Sequence, residues 1–171
     1  LQPILATQRA TLTHIRIQKI FSSGIEDFDM TRFPKLQSLW LSHDLTGTDT
    51  SLVANLVAPH LRVFHWDQQL EDQQCCETLG SFGQREEDWL QAFAAAAVER
   101  KSTLRQIRIY YRPDPYLYSY NGEDEDPLLY PWDRMDKIAR DIQPHGIHLS
   151  YNKPNITREE FNKHLEDRYS Y

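Results

Sequence analysis

Apolar residues recur along the chain in one spacing, an anchor followed by two more at the third and fifth positions after it. Leu12, Ile15 and Ile17 make the first set in 12-LTHIRI-17. Leu36, Leu39 and Leu41 make the second in 36-LQSLWL-41. Leu61, Phe64 and Trp66 follow in 61-LRVFHW-66, then Leu104, Ile107 and Ile109 in 104-LRQIRI-109. Ile147 and Leu149 keep the last two anchors of a fifth. The closing pair of each set is two residues apart, so both point to one side of a strand and the residue between them to the other. First anchors lie 24 (Leu12 to Leu36), 25 (Leu36 to Leu61) and 43 (Leu61 to Leu104) residues apart. The third interval reads as one unit carrying an insertion.

The segments between these strands carry helical spacing. Apolar residues fall at i, i+1, i+4 and i+5 in 52-LVANLV-57, and Pro59 closes that run. Trp89, Leu90, Phe93, Ala96 and Ala97 share a face in 86–102, as do Trp132, Met135, Ile138, Ala139 and Ile142 in 131–142. Pro131 suits a first-turn position, and Pro144 with Gly146 ends the element. In the tail, Thr157 and Glu160 make a capping box, with Ile156 and Phe161 placed as its hydrophobic staple. The predicted unit is helix, turn, strand and returning loop. Such units give parallel strands and bury their apolar sides only when stacked.

On these residues the chain resembles a leucine-rich-repeat domain, whose units run about 20–29 residues. Prolines before strands in 33-FPKLQSLWL-41 and 58-APHLRVFHW-66, irregular unit lengths and aromatic strand residues make it most similar to fungal F-box proteins of the leucine-rich-repeat class. The expected fold is α/β: a solenoid fragment with parallel strands on one face, helices on the other, and about five irregular repeats. The expected organisation is one domain over 1–171, with inserts near 68–84 and 110–130 and a covering helix near 157–169. Three positions after the last anchors, where the family carries asparagine or cysteine, stand Ile20, Asp44, Gln69 and Arg112. Asp44 alone could mimic it. No F-box module precedes the repeats. The chain begins at Leu1, which reads as a processed chain or a piece of a longer one. The resemblance implies that an upstream module would dock on a ubiquitin-ligase adaptor, leaving this chain the substrate-reading half.

Charge narrows the partners. With 19 basic and 25 acidic residues the net charge is −6, which argues against broad nucleic-acid binding. No apolar run approaches the roughly 18 residues of a membrane span. The two cysteines, Cys75 and Cys76, are adjacent and build no disulfide framework, so a reducing compartment, cytoplasm or nucleus, is expected.

Candidate chemistry changes little. The seven histidines have no metal-ligand spacing, and His145 and His148 straddle a turn and a strand. No phosphate-cradling glycine fingerprint or nucleophile elbow is present. The acidic run 121-NGEDED-126 fails as an EF-hand because Trp132 occupies the twelfth position. Asn155-Ile156-Thr157 is a glycosylation sequon that in a cytosolic chain serves only as a helix cap. No cofactor is expected. The favoured function is noncatalytic protein recognition, with a small hydrolase-like enzyme or a structural assembly module as alternatives.

The expected partner-binding set has two parts. Arg16, Trp40, His65 and Arg108 occupy equivalent strand positions between the anchors, flanked by Asp67 and Tyr110. Tyr116 and Tyr118 lie in the tyrosine-rich insert, where Tyr111 also belongs to the run 110-YYRPDPYLYSY-120. Trp, Tyr and Arg are the residue types enriched at interface hot spots.

Overall fold

The computed structural model describes residues 7–18, 28–68, 81–113 and 129–169. Five strands form one parallel sheet in sequential order: β1 (His14–Ile17), β2 (Ser38–Ser42), β3 (Val63–Asp67), β4 (Gln106–Tyr110) and β5 (His148–Tyr151). From β1 to β4 the apolar anchors pair in register, but the fifth set is displaced from expectation: Leu149 takes the middle place, Tyr151 the last beside Ile109, and Ile147 lies just before β5. Ile15 lies beside Leu39, Leu39 beside Phe64, Phe64 beside Ile107, and Ile107 beside Leu149. Every link between neighbours returns the chain to the same end of the sheet, so each must carry a crossover.

The helices supply those crossovers and the cover. Two short ones, α1 (His43–Thr46) and α2 (Val53–Leu56), lie between β2 and β3, the second led in by a 3-10 turn at Thr50–Leu52. The longer α3 (Gln84–Glu99) lies between β3 and β4, and α4 (Pro131–Ile142) between β4 and β5. α5 (Arg158–Tyr169) closes the described chain. Trp89 and Phe93 of α3 pack on Phe64 with ring centroids 5.8 and 4.4 Å apart. The helices therefore cover the anchor face. One apolar cluster joins that face to Leu90, Phe93, Met135 and Ile138.

Helix ends follow from local chemistry. The N–H of Gly83 donates to Glu86 Oε2 at 2.7 Å, which starts α3 at Gln84, two residues before the expected 86. The same helix stops at Glu99, short of the expected 102. Lys101 is left-handed at φ 54, Lys101 N–H donates to the Val98 carbonyl and Ser102 N–H to the Ala97 carbonyl. Those two bonds make a Schellman motif with lysine in the place glycine usually takes. Pro131 is in the first turn of α4, and Gly146, at φ 74, ends the 3-10 turn that follows it. The capping box of α5 forms as expected: Thr157 N–H donates to Glu160 Oε2 (2.8 Å), and Glu160 N–H to Thr157 Oγ1 (3.2 Å). Its staple residues Ile156 and Phe161 are buried, the latter edge-on to Tyr130.

Three further expectations need correction. Leu12 is only partly buried, because it precedes β1 at the edge of the described sheet. Asp44 is exposed in α1, so it supplies no side-chain ladder. The chain enters a helix directly after Ser42 instead of continuing outward. Tyr111, counted in the insert near 110–130, belongs to the core. It continues the alternation of Ile107 and Ile109, and Asn152 brackets its backbone, accepting from its N–H and donating to its carbonyl at 2.7 Å each. Ile20, Gln69, both cysteines, the acidic run, Tyr116, Tyr118 and most of both inserts lie outside the described residues.

Candidate functional site

The face of the sheet turned away from the helices carries one row of registered side chains. Arg16 on β1 lies beside Trp40 on β2, Trp40 beside His65 on β3, His65 beside Arg108 on β4, and Arg108 beside Ser150 on β5. The cause is the two-residue period. With Leu39 and Leu41 committed to the core, Trp40 has only the other side available.

The row is stacked. The Trp40 indole lies over the His65 imidazole with centroids 4.6 Å apart and planes within 5°. Tyr110, one strand further and two residues along, reaches back to stack on the same indole at 4.8 Å and 13°. The His65 and Tyr110 centroids are 6.0 Å apart. Rings on opposite indole faces would be separated by at least about 7 Å, so both lie on one face. Strand order puts Arg16 on the other, its guanidinium carbon 4.2 Å from the indole centroid. Each ring stack of this type is worth about 0.5–1.5 kcal/mol beyond burial. The cation–π contact contributes about 0.5–1 kcal/mol at an exposed site.

Polar contacts fix the stack. Trp40 Nε1–H donates to Asp67 Oδ2 at 3.0 Å, and Tyr110 Oη and His65 Nδ1 meet at 3.4 Å. Asp67 is 8% exposed and His65 9%, while Trp40 and Tyr110 are half-buried, so the larger rings shelter the two smaller groups. Burial holds the His65 imidazole below its usual pKa of 6.5, and the Arg108 and Arg16 charges push it the same way. His65 is therefore neutral at pH 7. The structure brings Arg16, Trp40, His65, Asp67, Arg108 and Tyr110 onto one face. Tyr116 and Tyr118 lie outside the described residues. The strand spacing located the row and set Arg16 against Trp40, but not the ring stacking of His65 and Tyr110 on Trp40, nor the reach of Asp67 to it.

Other polar clusters serve the fold. Glu87 on α3 is buried and pairs with Arg134 of α4 at 3.1 Å and with Lys137. Arg134 also donates to Gln84 Oε1 at 3.0 Å. His43 Nε2 meets Glu86 Oε1 at 3.1 Å, next to Trp66. Burial raises the Glu86 pKa, but hydrogen bonds from His43 and Gly83 together with the His43 charge outweigh it and hold the carboxyl low. Since the other Glu86 oxygen is taken by the Gly83 N–H, this pair ties the start of α3 to the end of β2. Gln68, directly after Asp67, is a buried amide whose two polar side-chain atoms have no hydrogen-bond partner among the described residues, a feature its place in the sequence did not signal.

Among the described residues, no group of three or more His, Cys, Asp or Glu side chains is arranged to hold a metal, and no helix is long and apolar enough to cross a membrane. Compared with known proteins, the chain matches no family model, no curated protein and no solved structure.

Proposed function

We propose that the chain is a noncatalytic protein-recognition scaffold whose partner docks on the face of the sheet opposite the helices. The observation that carries this reading is the registered row Arg16, Trp40, His65 and Arg108, joined by Tyr110 and Asp67. Large aromatic and arginine side chains held on a rigid sheet lose little entropy on binding, which is why they dominate interface energetics. Tyr116 and Tyr118, in the insert after β4, extend the proposed contact surface.

The sequential parallel strands and their registered anchors support a solenoid of leucine-rich-repeat type with about five irregular units. By the same resemblance, the scaffold is proposed to be the substrate-binding part of an F-box ubiquitin-ligase receptor, joined to its adaptor through another module, in the cytoplasm or nucleus. The parallel strands also fit a hydrolase-like enzyme. Among the described residues, however, the part-buried histidine–carboxylate contact of His43 with Glu86 is engaged at the start of α3.

The test is a partner selected from a display library on the wild-type chain and then challenged with variants. Trp40→Ala is expected to weaken that partner by at least about 2 kcal/mol, roughly thirtyfold. A Trp40→Ala chain that stays folded and binds unchanged would overturn the reading.

A further inference from the structure

The open face is cationic in an acidic protein. The net charge is −6, yet the row carries Arg16 and Arg108, with His14 and His148 exposed beside them. Its carboxylate, Asp67, is sheltered and accepts a hydrogen bond from Trp40. Neither Arg16 nor Arg108 has an ion-pair partner among the described residues.

The stacking decides which groups point outward. Trp40 and His65, parallel rings on neighbouring strands with centroids at about the strand spacing, stand upright on the sheet and show their edges to solvent, while Tyr110 leans back across β3 onto the same indole. Aromatic edges are the positive part of the ring quadrupole. The negative faces of the indole are used, one by Arg16 and the other by His65 and Tyr110. The Arg16 guanidinium, its carbon 4.2 Å from the indole centroid, adds N–H donors and no acceptor. The row therefore offers donors and positive edges from one end to the other.

We propose that the partner segment is an acidic, extended peptide that crosses the strands, its carboxylates taken by Arg16 and Arg108. The proposal rests on the open-face reading above and adds the chemistry of the partner. Three strand steps separate the two arginines, about 14 Å at the usual spacing. An extended peptide covers that in about four residues, and residues an even number apart point the same way. The motif is therefore two acidic residues four positions apart, with the residue midway between them over the Trp40 and His65 edges. Nucleic acid fits less well: single strands gain sequence-tolerant affinity by stacking bases on free aromatic faces, and Trp40 has neither face free.

The test is a titration followed by NMR on the indole N–H of Trp40 and the amides of β1 to β4. Three probes are used: the peptide Gly-Glu-Ser-Tyr-Ser-Glu-Gly, its counterpart with both glutamates replaced by glutamine, and a short oligothymidylate. The acidic peptide is expected to bind at least about tenfold more tightly than the glutamine peptide. Arg16→Gln and Arg108→Gln should each weaken it about fivefold or more, and Arg108→Glu should abolish it, while melting temperatures stay near wild type. Equal binding of both peptides, lost in Trp40→Ala, would overturn the acidic motif and leave the open-face reading standing. Tighter binding of oligothymidylate would overturn both. Absence of any shift on this face with all three probes would overturn the acidic motif, and the display-selected partner then decides the reading beneath it.

Discussion

Trp40 on β2 and Asp67 on β3 are joined by a 3.0 Å hydrogen bond from the indole Nε1–H to the carboxylate Oδ2, across 27 residues of sequence. The bond orients the indole upright on the sheet and partly satisfies a sheltered carboxylate. Trp40→Phe keeps an aromatic ring in the stack and removes this donor. It should cost about 1–3 kcal/mol, the usual penalty for removing a partner from a charged acceptor. In a double-mutant cycle with Asp67→Asn by urea denaturation, the coupling should reach about 1 kcal/mol. A value below about 0.5 kcal/mol would mean the two residues act independently.

The stability of the sheet should depend on pH through His65. Its folded pKa lies below the ordinary 6.5, first because of burial, then because of Arg108 and Arg16. The unfolded chain therefore binds the proton more readily. The contribution of neutral His65 is complete above pH 6.5 and is lost as pH falls from there through the folded value. His65→Gln should remove that part of the slope. An imidazole titrating at or above 6.5 by NMR would contradict it. An acidic ligand on the same face should move the titration upward.

The buried Glu87 makes a sharper test of helix packing. With Glu87 removed, Arg134 stays buried beside Lys137 and loses the Glu87 counter-charge. Glu87→Ala should destabilise by about 3–5 kcal/mol, whereas replacing Glu87 and Arg134 together by Leu and Met should cost far less. Thermal denaturation of the two variants checks the order.

Lys101 marks a position where the sequence opposes the backbone. Its left-handed φ of 54 closes the Schellman motif after α3. Glycine adopts that conformation without the Cβ clash. Lys101→Gly should therefore raise stability by about 0.5–1 kcal/mol in urea denaturation, despite glycine's greater unfolded-state entropy. A loss of stability would contradict the cap.

The core can be graded along one set of anchors. Leu39→Ala, in a fully buried central strand, should cost about 2–5 kcal/mol. Leu12→Ala, partly buried at the sheet edge, should cost clearly less. Equal losses would contradict the edge placement of β1.

That pair also shows what the residues alone made legible. The two-residue alternation fixed the inward anchors and hence the outward row, because a strand has only two sides. Carried one step past Ile109 the same alternation reaches Tyr111, which the tyrosine-rich run 110-YYRPDPYLYSY-120 had assigned to the insert instead. Spacing along one strand carries no information about contacts between strands. The shared stacking of His65 and Tyr110 on Trp40, and the bond to Asp67, depend on lateral register and on how far each side chain reaches. Asp44 is a similar case: its distance from Leu41 alone made it a stand-in for the family's asparagine or cysteine, whereas the chain turns into α1 directly after Ser42.

The most direct measurement is the affinity of the display-selected partner for paired surface variants. Arg108→Ala lies on the open face, and Arg140→Ala is exposed on α4. The account predicts at least about a tenfold loss for Arg108→Ala and less than about a twofold change for Arg140→Ala. The reverse pattern, binding lost with Arg140→Ala and kept with Arg108→Ala, would contradict it.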